Sequence, residues 1–170
     1  KQQLLRVDEG TCVDPLNLKN LKNLDDYDVI IFSDYDKGLI PWSAANYVCQ
    51  NYKGKIFVDS KKTDLSCYQN AYIKINEFEN QKAFAYSESC SFIVTLGMKG
   101  AKWNGKIYPA PKVDVYDVSG AGDVFLATLS VVATMENIDS AVQKSVLMAS
   151  RSVQHFGTYK LTKEDIAEVL

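Results

Sequence analysis

Residues 117–125, DVSGAGDVF, combine small and acidic residues in a pattern that could do chemistry. Gly120, Ala121 and Gly122 let the backbone approach a ligand closely, and N–H groups at the start of a helix attract anions. Asp123 would repel a resting phosphate, but it could accept the proton of a substrate hydroxyl that attacks a phosphoryl group held by those N–H groups. The pattern therefore favours phosphoryl transfer, and a helix-capping role for Asp123 is the simpler alternative.

This chemistry requires elements that bring such residues to one edge of a sheet. Short apolar runs predict β-strands at 28–34, 55–60, 71–76 and 91–97. Helices are predicted at 41–54, about 123–134, 139–157 and 161–170, the last with a pattern close to a capping box at Thr162 and Asp165. Strands that alternate with helices predict an α/β fold of three layers, with a mainly parallel sheet and helices on both faces.

Each predicted strand ends in polar residues or glycine, at the edge where parallel sheets bind ligands. These residues are Ser33, Asp34, Asp59, Ser60, Asn76, Thr95 and Gly97. Any one of them alone fits ordinary turn chemistry equally well. Their repetition at every predicted strand end favours a ligand site there.

The composition narrows the class of protein. The chain has 170 residues, 46% hydrophobic and 24% charged, which suits a single domain with its own core. A net charge of −2 without a basic cluster argues against a nucleic-acid partner. The cysteines lack the spacing of a zinc site and fit reduced thiols of a cytoplasmic protein. The sequence has no apolar run near the roughly 20 residues of a membrane helix, so no membrane partner is expected.

The segment 117–123 is similar to the signature of the ribokinase-like (PfkB) carbohydrate kinases. In that family the last aspartate is the catalytic base and the Gly-Ala-Gly backbone forms an anion hole. The resemblance implies these roles for Asp123 and for Gly120, Ala121 and Gly122. It also implies ATP as the phosphate donor, with Mg²⁺ and a monovalent cation such as K⁺ as cofactors.

Other motifs of the family follow in the same order along the chain. Asn76 and Glu79 match an N-x-x-E element that orders Mg²⁺ and the phosphates. The resemblance assigns further residues to two ligands: Thr95, Gly97, Gly100, Ala149 and Ser152 to the nucleotide, and Asp117, Ser119 and Gly157 to the monovalent cation.

Within the family, the chain most resembles the heptose 7-phosphate kinase domain of bifunctional ADP-heptose synthesis proteins. The similar segments are 4–8, 33–38, 58–68, 115–123 and 155–166. This likeness implies that Arg6, Asp34 and Lys37 lie near the sugar phosphate, an anion that guanidinium and ammonium groups suit. It also implies that residues 1–170 are the C-terminal, nucleotide-binding portion of one ribokinase-like domain, without its first strands and lid. A homodimer, or pairing with the N-terminal half, is expected.

The chain departs from this pattern in three places. DSKK at 59–62 replaces a proline and a glycine, and the segment 80–90 is shorter than the helical segment of the family. KIN at 74–76 replaces Thr-Pro-Asn, so Glu77 stays an alternative to Glu79 as the acid that orders Mg²⁺.

Three functions are consistent with the sequence. The first is a kinase of heptose 7-phosphate, which uses ATP and an aspartate base. The second is a kinase of another sugar, sugar phosphate or nucleoside. The third is a non-catalytic fragment that binds nucleotide or assembles with another chain, because an open sheet edge invites pairing.

Overall fold

A computed structural model describes Gly10 and residues 12–169. Its centre is a six-stranded sheet in which the strands lie side by side in chain order. The strands are β1 (Val29–Asp34), β2 (Lys55–Ser60), β3 (Ala71–Asn76), β4 (Ser91–Thr95), β5 (Ala101–Trp103) and β6 (Lys106–Tyr108). Strands β1 to β4 are parallel, whereas β5 and β6 add an antiparallel hairpin beyond β4. The carboxyl ends of the four parallel strands therefore meet at one edge.

Helices cover both faces of this sheet. Within the described residues they are α1 (Trp42–Asn51), α2 (Glu77–Lys82), α3 (Ala121–Met135), α4 (Ile138–Ser152) and α5 (Lys163–Val169). Short 3₁₀ turns lie at Leu18–Asn20, Leu24–Asp26 and Gly97–Lys99. No helix in the described part of the chain is long and apolar enough to cross a membrane.

Alternate side chains of the strands enter two separate hydrophobic clusters. Ile56 and Val58 of β2 pack in one cluster with residues of α1, whereas Phe57 between them packs in the other with residues of α3 and α4. This alternation is what a strand buried on both faces requires. The three-layer, mainly parallel α/β fold predicted from the sequence is confirmed.

The structure also contains elements that the sequence analysis did not predict. The β5–β6 hairpin turns at Asn104 and Gly105, which both have positive φ, 46° and 78°. An Asn-Gly pair of this kind is a strong hairpin signal. Helix α2 is short and begins at a capping box formed by Asn76 and Glu79. The helix predicted at 139–157 ends at Ser152, and α3 begins at Ala121, slightly before the predicted start.

Candidate active site

The glycine-rich segment forms the start of α3. Gly120 has a φ of 79° and is the N-cap residue, so Asp123 lies in the first turn of the helix. The first intrahelical bond runs from the Val124 amide to the Gly120 carbonyl at 2.9 Å. In the described part of the chain, the amides of Gly122 and Asp123 have no recorded backbone acceptor and are available to an anion.

The carboxylate of Asp123 is exposed and makes no capping bond to its own helix. A capping role would require its oxygen to accept a backbone amide of the first turn. The geometry therefore favours the alternative in which Asp123 serves a ligand.

A cavity of about 390 Å³ brings the strand ends and the start of α3 together. Its walls come from β1, β2, β3, β4 and the α3 motif. The lining includes Ser33, Asp34, Asp59, Asn76, Thr95, Gly97, Gly122 and Asp123, all singled out from the sequence. The lining also includes Lys61 and Lys74, which the sequence analysis did not assign.

Lys74 of β3 is a buried lysine next to the anion hole. Its residue exposure is 5%, and its ammonium lies 2.5 Å from Oδ2 of Asp59 on the neighbouring strand. A Cβ at position 122 would lie 2.8 Å from Lys74 Nζ, so the ammonium lies directly beneath Gly122. A cation in this position would stabilise negative charge bound at the start of α3.

Asn76 and Glu79 are bound to each other at the start of α2. Asn76 Oδ1 accepts the Glu79 amide at 2.8 Å, and Glu79 Oε2 accepts the Asn76 amide at 2.9 Å. Glu79 Oε1 lies 2.5 Å from the ammonium of Lys61. Burial works to lower the pKa of Lys61, but its bond to Glu79 and the charges of Asp59 and Glu79 outweigh burial and raise it. Asn76 lines the cavity and Glu79 does not.

These bonds bear on the Mg²⁺ site that the family resemblance implies. Each of the three side-chain oxygens already accepts a hydrogen bond, one of them from an ammonium group. Each of these oxygens has a second lone pair, and Mg²⁺ usually keeps several waters and binds phosphate oxygens beside one or two protein ligands. No group of three or more His, Cys, Asp or Glu among the described residues could hold a metal ion. Asn76, which lines the polar cavity, therefore fits a magnesium ion that is held largely by a polyphosphate, and not a site made of protein ligands alone.

Asp34 lies at the end of β1 and is 3% exposed. Its carboxylate accepts bonds from the Lys62 ammonium, the Ser60 hydroxyl at 3.0 Å and the Tyr68 hydroxyl at 2.8 Å. Burial works to raise the pKa of Asp34, but the bonds from Lys62 and Tyr68 outweigh it and hold the pKa below its usual value. The carboxylate predicted to contact the sugar phosphate is thus already bound within the protein.

A second cavity, of about 400 Å³, adjoins the first and is mostly apolar. The two cavities share Thr95, Gly97, Val118 and Gly122. The apolar walls come from the segment before α3 and from α3 and α4, and include Pro111, Val113, Phe125, Val146 and Val153. A flat, largely apolar group joined to a polyphosphate fits this arrangement, with the group in the second cavity and the phosphates at Gly122.

Four of the five residues that the resemblance assigns to the nucleotide line this second cavity. They are Thr95, Gly97, Gly100 and Ala149. Ser152 is not in the lining; its buried hydroxyl donates to the Ala149 carbonyl at 2.9 Å. Ser150 lines the cavity, but its hydroxyl donates to the Val146 carbonyl at 2.8 Å.

The residues assigned to the monovalent cation come together around Asp117. Its carboxylate accepts the Ser119 amide at 2.8 Å and the Gly157 amide at 3.1 Å. The hydrogen bonds from Ser119, followed by that from Gly157, hold the pKa of Asp117 below its usual value. Asp117 thereby joins the loop before α3 to the loop after α4.

Of the two basic residues assigned to the sugar phosphate, Lys37 belongs to the described part of the chain. Lys37 is exposed and its ammonium lies against Gly10, outside the lining of either cavity. Arg6 lies outside the described residues.

Solved structures share this fold. Phosphofructokinase-2 from Escherichia coli aligns with a TM-score of 0.72 at 16% identity, over 96% of this chain and 64% of that one. Ribokinase from Thermotoga maritima aligns with a TM-score of 0.67 at 20% identity, over 89% of this chain and 60% of that one.

Sequence comparison gives a more specific result. The bifunctional protein HldE of a Nitratiruptor species is 32% identical over 98% of this chain, and the chain spans 42% of the length of that relative. Residues 74–165, which hold the anion hole and most of the apolar cavity, match the model of the pfkB family of carbohydrate kinases. The chain therefore belongs to the pfkB carbohydrate kinase family.

Proposed function

We propose that this chain carries the phosphoryl-transfer site of an ATP-dependent sugar kinase that acts on heptose 7-phosphate. The observation that carries the proposal is the position of Asp123. It lies in the polar cavity, beside the amides of the α3 start and next to the apolar cavity. An acceptor hydroxyl in the polar cavity and a nucleotide in the apolar cavity would meet there.

In the proposed reaction, Asp123 accepts the proton of the sugar hydroxyl while the hydroxyl oxygen forms a bond to the γ-phosphorus of ATP. The bond from that phosphorus to the bridging oxygen breaks, and ADP leaves with the electron pair. The amides of Gly122 and Asp123 and the ammonium of Lys74 stabilise the charge on the transferring group. Catalysis of this kind depends on position and charge, which these residues supply.

Support for the nucleotide comes from the shape and polarity of the second cavity. Its apolar walls suit a purine ring, and it meets the anion hole at Gly122. Asp117, whose carboxylate accepts the amides of Ser119 and Gly157, is our proposed site for a monovalent cation beside the anion hole. Its carboxylate is a hard oxygen donor, and each oxygen has a second lone pair besides the one that accepts an amide.

Support for heptose 7-phosphate as the substrate comes from the sequence resemblance and not from the geometry of the cavity. The ordered segments similar to heptose 7-phosphate kinase domains favour that substrate. Of the two proposed phosphate ligands, Lys37 is not in the lining of the polar cavity, and Arg6 lies outside the described residues. A panel of acceptors must therefore distinguish heptose 7-phosphate from another sugar phosphate or a nucleoside.

The test is ADP release from MgATP with heptose 7-phosphate, fructose 6-phosphate or ribose as acceptor. We expect turnover with heptose 7-phosphate, and a loss of about 10²- to 10⁴-fold in kcat for Asp123→Asn, since a general base is removed. Asp26→Asn, at an exposed position away from both cavities, is the matched control and should keep full activity.

Equal turnover by the wild-type protein and Asp123→Asn would refute the role of the base. Turnover with another acceptor alone would support the proposed kinase activity but refute heptose 7-phosphate as its substrate. A rise in Tm with nucleotide but no turnover with any acceptor would support a non-catalytic, nucleotide-binding chain instead.

A further inference from the structure

The residues that connect α4 to α5 cross the start of α3. We call residues 153–162 the connecting segment. Within it, the amide of Gly157 donates to Oδ2 of Asp117 at 3.1 Å. A Cβ at Gly120, the N-cap residue of α3, would lie 3.0 Å from Cγ2 of Thr158, so this methyl group packs against Gly120. The connecting segment therefore contacts the part of the chain that forms the anion hole.

Two stacked rings close the turn that makes these contacts. The imidazole of His155 and the phenol ring of Tyr159 lie nearly parallel, with their centroids 3.7 Å apart. Stacked aromatic rings attract each other through their large apolar faces. Because Gly157 and Thr158 lie between the two rings in the chain, the position of Tyr159 helps to fix the two residues that contact the start of α3.

Tyr159 is bound in turn by Asp165, a buried residue in the first turn of α5. The Asp165 carboxylate accepts the Tyr159 hydroxyl at 2.8 Å, and the Thr162 amide and hydroxyl at 2.9 and 3.1 Å. It also pairs with the guanidinium of Arg151 in α4 at 3.4 Å. One carboxylate thus binds residues that precede and follow the turn at 157–158.

The capping of α5 uses only part of this arrangement. Asp165 accepts the Thr162 amide at 2.9 Å, and its own amide donates to the Thr162 hydroxyl at 3.2 Å, so these two bonds form a capping box. The bonds from Tyr159 and Arg151 are additional to it. They offset the cost of burying the carboxylate, and they join α4, the connecting segment and α5 to one another.

We propose that Asp165 is a positioning residue for phosphoryl transfer, which acts on the start of α3 through Tyr159 and the connecting segment. This inference rests on the proposed function, since it concerns the anion hole of the same reaction. Asp165 itself is not in the lining of either cavity. It keeps the amides of Gly122 and Asp123 in place, where a displacement of about 1 Å can cost about 10²-fold in rate.

The first test compares the kinetics of two tyrosine variants at a temperature where both are folded. Tyr159→Phe keeps the ring on His155 and removes only the bond to Asp165. Tyr52→Phe is the matched control, since its hydroxyl donates to the Tyr27 carbonyl at 2.8 Å and neither residue lines a cavity. We expect Tyr159→Phe to lower kcat about tenfold and to change the KM of ATP less than about twofold, because the apolar cavity is unchanged.

Both tyrosine variants lose one partly buried hydrogen bond, so a purely structural role would lower Tm in both and leave kcat unchanged in both. Tyr52→Phe should therefore keep the wild-type kcat. Asp165→Asn retains an oxygen for the Thr162 amide, so α5 keeps its cap, and it should lower kcat at least as much as Tyr159→Phe. A wild-type kcat in Tyr159→Phe and in Asp165→Asn would overturn the inference.

Amide hydrogen exchange measures the same coupling without turnover. Residues 117–124 should exchange faster in Tyr159→Phe than in the wild-type protein, and at the wild-type rate in Tyr52→Phe. If an acceptor is phosphorylated but neither kcat nor this exchange responds to Tyr159→Phe, the inference fails and the kinase proposal stands. If the exchange responds but no acceptor is phosphorylated, the kinase proposal fails and the coupling of Asp165 to the start of α3 stands.

Discussion

Asp34 lines the polar cavity, but its carboxylate is bound by hydrogen bonds that stabilise the fold. It accepts hydrogen bonds from Lys62, Ser60 and Tyr68 and from the Asp36 amide. Lys62 also donates to the Ile40 carbonyl at 3.1 Å, which fixes the loop after β1. This buried network holds one wall of the polar cavity in place.

The network predicts a specific pH dependence of stability. Because the pKa of Asp34 is lower in the folded chain than its unfolded value of about 4, its contribution is complete above that value and is lost as the pH falls through the folded pKa. Asp34→Asn removes the buried charge partner of Lys62 and leaves it the exposed Asp36 at 3.4 Å, so it should cost about 3 kcal/mol of unfolding free energy at pH 7.

Urea unfolding at pH 7 and pH 3 measures this effect. Since pH 3 lies below the unfolded pKa of about 4, part of the contribution of Asp34 is lost there, and the gap between wild-type and Asp34→Asn protein should narrow. Asp26→Asn, at an exposed position, should follow the wild type at both values. A gap that stays constant or widens would contradict the role given to Asp34.

The sequence predicted several residues that line the polar cavity, but it did not predict their hydrogen-bond and ion-pair partners. Asp34 and Asn76 were identified because polar residues that end apolar runs are visible locally, and Asp123 because it follows a Gly-Ala-Gly segment at a predicted helix start. Lys62 and Lys74 were missed, since a lysine in a strand or loop usually lies in solvent. Their burial depends on carboxylates from other strands, and such pairings are set by the tertiary fold.

At the scale of elements, the four parallel strands were predicted nearly to their observed ends, because each is a buried run bounded by polar residues. The β5–β6 hairpin was missed, since strands of three residues are too short to show an alternating pattern. Its Asn104-Gly105 turn was the available signal. For α2 the signal was the N-x-x-E spacing of Asn76 and Glu79. The sequence analysis assigned these residues to Mg²⁺ and the phosphates, and the structure shows that they form the capping box at the start of α2.

The turn between β4 and β5 predicts the effect of a glycine substitution. Gly100 has a φ of 95°, and a Cβ there would overlap the Tyr108 carbonyl and lie 2.7 Å from the Ala110 amide. Gly100→Ala should therefore cost about 3 kcal/mol or more and displace the segment at Ala110 that lines the apolar cavity.

Thermal unfolding with and without ATP measures both effects. Gly105→Ala is the matched control, because its φ of 78° is also positive but no atom lies within 4 Å of the added Cβ. It should lose only about 1 kcal/mol and keep the shift in Tm caused by ATP. Equal losses in the two variants would show that backbone conformation, and not the overlap with Tyr108, decides the cost.

At the scale of the whole molecule, the sheet formed by the described residues ends at β1 on one side and at β6 on the other. Among the described residues, β1 pairs only with β2 and carries Ile31, which is 42% exposed. Exposed, apolar edge strands promote association between chains.

This edge leads us to expect that the isolated chain self-associates through β1. Light scattering over a range of concentrations should show a mass that rises above the monomer. Ile31→Lys should shift the protein towards the monomer, since a charge at an edge opposes pairing. Ile107→Lys, at the exposed residue of the opposite edge strand, is the matched control. A monomeric mass at all concentrations would contradict the expectation.

The contact between Gly122 and Lys74 affects what the retention of each signature residue in related sequences would mean. A side chain at position 122 would meet the ammonium beneath it and would require Lys74 to shift from its place beside Asp59, so packing favours a glycine there even in a chain that has lost its activity. Asp123 is under no such demand, because it is exposed and has no recorded hydrogen bond in the described part of the chain. Among divergent descendants, a retained glycine would therefore reflect packing as well as chemistry, whereas a retained aspartate would reflect continued selection for chemistry.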